Sequence, residues 1–168
     1  PITAEVTPHH LTVTEEAVVG YNTNAKVNPP LRTTEDVKAL ISGLKERVID
    51  AIATDHAPHT AKDKVCDFNT AAFGISGFET ALGNLMELVH QDKLDLVTLV
   101  SKLTHEPALF LCRDDIGTLK PGSVADVVIF DPEAEWVVNP EEFVSKGKNT
   151  PVAGATLIGK VTMTILGG

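Results

Sequence analysis

The chain has 168 residues and a net charge of −9, with 23 acidic against 14 basic side chains. No block of lysine and arginine interrupts that balance, so nucleic acid and anionic membrane surfaces are excluded as partners and a small-molecule substrate fits better. No apolar run approaches the roughly 20 residues that cross a bilayer, and Pro1-Ile2-Thr3 lacks the basic start of a signal peptide, which makes the cytoplasm the expected compartment. Cys66 and Cys112 have no short metal-type spacing and do not suggest a disulfide framework.

Ile2, Ala4 and Val6 alternate with Thr3 and Glu5 as a strand already under way, and Pro1 is no initiator, so the chain reads as a fragment. Pro8 ends that strand, and His9-His10 is expected in a loop, as a turn feature more than as a metal-ligand pair. From Asn22 to Arg32 the chain is polar, and Asn28-Pro29-Pro30 forbids helix; Asn28 there offers both a donor and an acceptor beside stiff backbone. A helix follows, capped by Thr33 or Thr34, with Glu35 and Asp36 in its first turn and Val37, Leu40, Ile41 and Leu44 on one face.

The run Val48–Thr54 then delivers Asp55, His56 and His59 at its C-terminal end, where Pro58 stops further pairing. Strand, helix and strand form a βαβ unit, so the strands ending at Thr7 and Thr54 should be parallel neighbours, with His9, Asn28, Asp55 and His59 on one rim. Residues 60–77 read as a structureless binding loop closed by Phe73-Gly74-Ile75-Ser76-Gly77, in which the glycines could let backbone amides face a ligand. Phe78 through Val89 and Asp95 through Leu103 mark amphipathic helices, and Pro107 falls near the first turn of a short third. Near Gly117 the character turns to β: Val127–Phe130, Trp136–Val138 and Thr156–Leu166 read as strands of a separate sheet.

Taken in order, Ala4–Leu11, Asn28–Arg32 and Ala53–Thr60 resemble type I dihydroorotases of the amidohydrolase superfamily. The likeness extends through Phe73-Gly74, the turn ending at Asp126, and Lys146–Pro151. The resemblance implies an α/β fold: the C-terminal part of a (β/α)8 TIM barrel over residues 1–114, with the last two barrel strands and their helices, and part of a small β-sandwich over 115–168. It implies a zinc-dependent cyclic amide hydrolase that interconverts dihydroorotate and N-carbamoyl-L-aspartate in pyrimidine biosynthesis.

Carried over residue by residue, the resemblance makes Asp55 a zinc ligand and the general base, and makes Asn28, His59, Phe73 and Gly74 substrate contacts. The family's other metal ligands are expected upstream of Pro1. One carboxylate is fewer than the three or four ligands of a zinc site, so this polypeptide alone is expected to be inactive and not to retain zinc. A hydantoinase or allantoinase would share Asp55, and an inactive dihydroorotase-like scaffold for aspartate transcarbamoylase is the reading from a different class. Homo-oligomerisation is a further possibility within the same resemblance.

Overall fold

The computed structural model of the chain describes residues 2–168; Pro1 lies outside them. Strand β1 (Glu5–Val6) pairs in parallel with β2 (Ala51–Ile52), with Glu5 opposite Ala51 and Val6 opposite Ile52. The pairing extends through Ala53 N to Val6 O at 3.0 Å and Asp50 N to Ala4 O at 2.8 Å. The expected parallel neighbours are therefore found. Between them runs α2 (Thr34–Lys45), started by a capping box in which Thr33 Oγ1 accepts from Asp36 N and Asp36 Oδ2 accepts from Thr33 N. Its apolar stripe buries Ile41 and Leu44 in a core shared with Val6, Leu11, Ile52, Leu85 and Leu99.

Two segments expected to be irregular are helical. Helix α1 (Pro8–Thr12) carries His9 and His10; Thr7 caps it by accepting from His10 N, and Pro8 occupies the first turn, where its missing N–H costs nothing. Helix α3 (Ala61–Lys64) opens the stretch expected to be structureless, because Thr60 and Asp63 form a second capping box. The remainder of that stretch is tied down by two buried lysines. Lys26 Nζ donates to Phe68 O, Asn69 O and Ala71 O at 2.6, 3.1 and 2.7 Å, and Lys64 Nζ donates to Thr23 O and Ala72 O at 2.9 and 2.8 Å. Burial and then the neighbouring Lys26 charge lower the Lys64 ammonium from 10.5 to about 8.

Helix α4 (Ala81–His90) starts three residues later than its apolar pattern suggests, leaving Phe78 outside it; α5 (Leu96–Leu103) is capped by Asp95, and α6 (His105–Phe110) follows. Strands β3 (Val127–Val137) and β4 (Thr156–Ile165) form a separate antiparallel sheet. The two β runs expected around Phe130 and Trp136 are one strand, since a register shift between Asp131 and Glu135 absorbs Pro132. This sheet packs on α4, where Gly83 meets Leu157, and Phe130 closes against the main core. No helix among the described residues is long and apolar enough to cross a membrane.

Candidate active-site rim

The C-terminal ends of β1 and β2 share one edge, and hydrogen bonds join the loops that leave it. Asp55 is the third residue past β2; its side chain is exposed and its backbone lies in the left-handed region at φ 48°. An aspartate tolerates that conformation, yet it is uncommon outside turns and is often found where a side chain must be aimed.

The next residue anchors it. His56 Nδ1 accepts from Gly77 N at 3.1 Å and from Phe78 N at 3.2 Å, and the imidazole stacks on the Phe78 ring with centroids 3.8 Å apart. Because Nδ1 accepts, the ring proton sits on Nε2, which faces Ser145 Oγ at 3.4 Å. Ser145 N in turn donates to Glu79 Oε1 at 2.8 Å. His56 therefore serves as a structural anchor, with Asp55 left free beside it.

His59 Nε2 lies 2.9 Å from Phe73 O, and a carbonyl can only accept, so that nitrogen carries the proton. Phe73 is exposed, and the Lys26 ammonium lies 4.4 Å from its ring centroid, which orients the ring by a cation–π contact. Gly74 has φ 129°, and a Cβ there would fall 2.5 Å from Ala57 Cβ. The expectation that the glycine amides face a ligand is corrected: Gly74 N donates to Lys26 O at 2.9 Å and Gly77 N donates to His56. What Gly74 supplies is close approach of two loops.

Asn28 is exposed on the adjoining loop, which His10 ties back by donating from Nε2 to Pro29 O at 2.9 Å while its Nδ1 accepts from Thr7 Oγ1 at 2.6 Å. Asn28, Asp55, His59 and Phe73 thus sit on loops from one edge. His9 departs from that set: it is 5% exposed and lines a narrow cleft of about 10 Å³ beside Thr54, Gly77, Thr80 and Asn84, with Nε2 unpartnered among the described residues. Burial, and secondarily His10, lowers its imidazole from 6.5 to about 4.

The sequence reading missed one residue of this rim. Asn149, 4% exposed, places its amide between the His59 and Gly74 loops, and only its place in the stretch Lys146–Pro151 had drawn attention to it. Its partners lie 73 to 92 residues away in sequence, so no local pattern could have named them.

No group of three or more His, Cys, Asp or Glu side chains that could hold a metal occurs among the described residues. The exposed carboxylate of Asp55 is a donor type that suits a divalent cation, and a zinc site takes three or four such protein ligands.

The amidohydrolase family profile matches residues 3–168. The dihydroorotase of Thermoanaerobacter sp. strain X514 is 54% identical over 168 residues, covering 99% of this chain and 38% of that relative. The dihydroorotase of Syntrophus aciditrophicus strain SB is 50% identical over 167 residues, covering 99% of this chain and 39% of the relative. Among solved structures, the L-hydantoinase (dihydropyrimidinase) of Arthrobacter aurescens superposes with a TM-score of 0.91 at 31% identity, over 99% of this chain and 38% of its own. The chain spans 38–39% of the length of these curated relatives. With a family match that runs almost end to end, this chain belongs to the amidohydrolase family.

Proposed function

We propose that this chain supplies the substrate-facing rim of a zinc-dependent dihydroorotase, with residues 1–114 forming the end of the barrel and 115–168 part of the β-sandwich. The observation that carries the reading is that Asp55, His59, Phe73 and Asn28 lie on loops that follow the adjacent ends of β1 and β2, with His59 bonded to Phe73 O. The 50–54% identity to proteins named dihydroorotase supports the substrate assignment.

Zinc, when bound, would polarise the ring amide carbonyl and make water acidic enough to attack near neutral pH. The residues of this chain do the rest. Asp55, one of the ligands, accepts the proton of the attacking water as its oxygen bonds to the ring carbonyl carbon, and returns a proton to the ring nitrogen as the C–N bond breaks, giving N-carbamoyl-L-aspartate. His59 is committed at Nε2 to Phe73 O, so Nδ1 is the ring atom left for substrate. Asn28 offers an amide donor and acceptor to the same planar ring, and Gly74 keeps the rim clear of a side chain that would push the His59 loop outward.

Turnover of dihydroorotate by the full-length protein, set against hydantoin, dihydrouracil and allantoin, tests the reading. Dihydroorotate is expected to be preferred, and zinc removal by chelation to abolish activity. The L-hydantoinase superposition favours one competing reading, a hydantoinase, and preference for hydantoin would establish it. His59→Ala should raise KM while leaving metal content near that of the unmodified protein.

A further inference from the structure

Asn149 saturates its amide on the two loops that carry the proposed substrate contacts. Oδ1 accepts from His59 N at 2.8 Å, and Nδ2 donates to Ala57 O at 3.1 Å and to Gly74 O at 3.0 Å. Ser76 Oγ completes the set: its single proton is shared between Asn149 Oδ1 at 2.9 Å and Gly147 O at 2.8 Å. The orientation is fixed by chemistry, because flipping the amide would set an NH2 against the His59 N–H and an oxygen against two carbonyls. All four hydrogen-bonding positions of the group are therefore used on backbone and on Ser76, in a buried setting where each unmade bond is costly.

The segment around Asn149 is shaped to reach this place. Ser76 N donates to Asn149 O at 2.8 Å, and Gly147 lies so close to the strand-end loop that a Cβ would meet His59 N and Pro58 Cβ at 2.6 Å each. The loop between the sandwich strands thus presses directly on the rim.

We propose that Asn149 is the positioning residue that sets the spacing between His59 and Gly74, linking the 138–155 loop to substrate affinity. This inference rests on reading the rim as substrate-binding. It predicts that removing the amide moves the His59 and Gly74 loops apart without disturbing Asp55, whose anchor is the separate His56–Phe78 stack.

The test uses the full-length holoenzyme. With Asn149→Ala, backbone amide exchange at His59, whose N–H the Asn149 side chain holds, should accelerate by an order of magnitude or more, KM for dihydroorotate should rise roughly 10–100-fold, kcat should stay within about 3-fold, and zinc content should be unchanged. Asn149→Asp keeps an acceptor for His59 N but sets an oxygen against the Ala57 and Gly74 carbonyls. It should keep the His59 amide slow while still raising KM, because the bonds to the Ala57 and Gly74 carbonyls are lost. If Asn149→Ala fails to accumulate folded, Gly147→Ala, which displaces the same loop by steric contact, should reproduce the rise in KM.

Unchanged exchange at the His59 amide in Asn149→Ala, or a fall in kcat and zinc content together with the rise in KM, overturns the inference. Accelerated exchange in a protein whose unmodified form does not turn over dihydroorotate supports the clamp and overturns the substrate reading instead.

Discussion

The two sheets are held together by opposite means. In β1–β2 each strand contributes two residues, and Val6, Ala51 and Ile52 are buried, so the pairing is fixed by the core around it. In β3–β4 the strands run 11 and 10 residues, yet Val128, Ile129, Val137, Val161 and Met163 stay exposed. That ribbon rests on its hydrogen-bond ladder and on one face against α4. Burial, more than ladder length, decides where a rigid rim can be built, because loops leaving a packed strand end inherit its fixed position.

The largest test of this contrast is at the rim itself. If Asp55 is the proposed ligand and base, Asp55→Asn in the full-length protein removes both roles together, so activity should fall well beyond the roughly 10²–10⁴-fold typical of an acid–base group alone, and zinc content should fall with it. Normal zinc content in an inactive Asp55→Asn protein would confine Asp55 to proton transfer.

Next in size is a pair of truncations. Leu85, fully buried in the core beneath β1–β2, should cost about 3–5 kcal/mol when changed to Ala, whereas Val128→Ala on the exposed ribbon should stay within about 0.5 kcal/mol. Denaturant unfolding of both variants measures the contrast. Equal losses would mean that the ribbon face is covered in the full-length protein and that the two sheets are alike in origin.

Acid should act through buried His9 on α1 and not through the ribbon. His9 is buried, and its imidazole binds a proton less readily when folded, about 4 against an ordinary 6.5. The unfolded chain therefore takes up the proton first as pH falls: stability is full above about 6.5, is lost progressively below it and is gone by about 4, amounting to on the order of 3 kcal/mol. His9→Leu lacks that loss, so its stability relative to the unmodified protein should improve by about this much between pH 7 and pH 4. A pH-independent difference in melting would show that protonation of His9 is not what acid acts on.

Much of this architecture was legible in the sequence because it is written locally. The apolar spacing of α2, its cap at Thr33, and the alternation of β4 are short-range signals. So is Asp55 at the end of an apolar run. Helix α1 escaped because its cap, Thr7, is followed three residues on by His10 and not by an acidic or amide partner, which hides the usual signature. The 60–77 loop escaped because its order comes from Lys26, whose carbonyl partners lie 42 to 45 residues away. Side chains that bond to distant backbone leave no periodicity to read.

That last point yields the smallest and most local effect. Lys26 is 7% exposed, no carboxylate lies within ion-pair distance of it among the described residues, and its ammonium is surrounded by three carbonyls and the Phe68 and Phe73 rings at 5.4 and 4.4 Å. Lys26→Met keeps the stem volume but leaves those carbonyls without a donor and the rings without a cation. Because the loop is at the surface, water can reach part of what is lost, and the cost should be about 2 kcal/mol, well below that of a core truncation. Amide exchange should quicken across residues 66–73 and stay unchanged in β1 and β2, and KM should rise through Phe73 with zinc content intact. Exchange that quickens in β1 and β2 as well would show that the loop and the strand ends form one cooperative unit, and that the rim's rigidity depends on its loops as much as on the core beneath them.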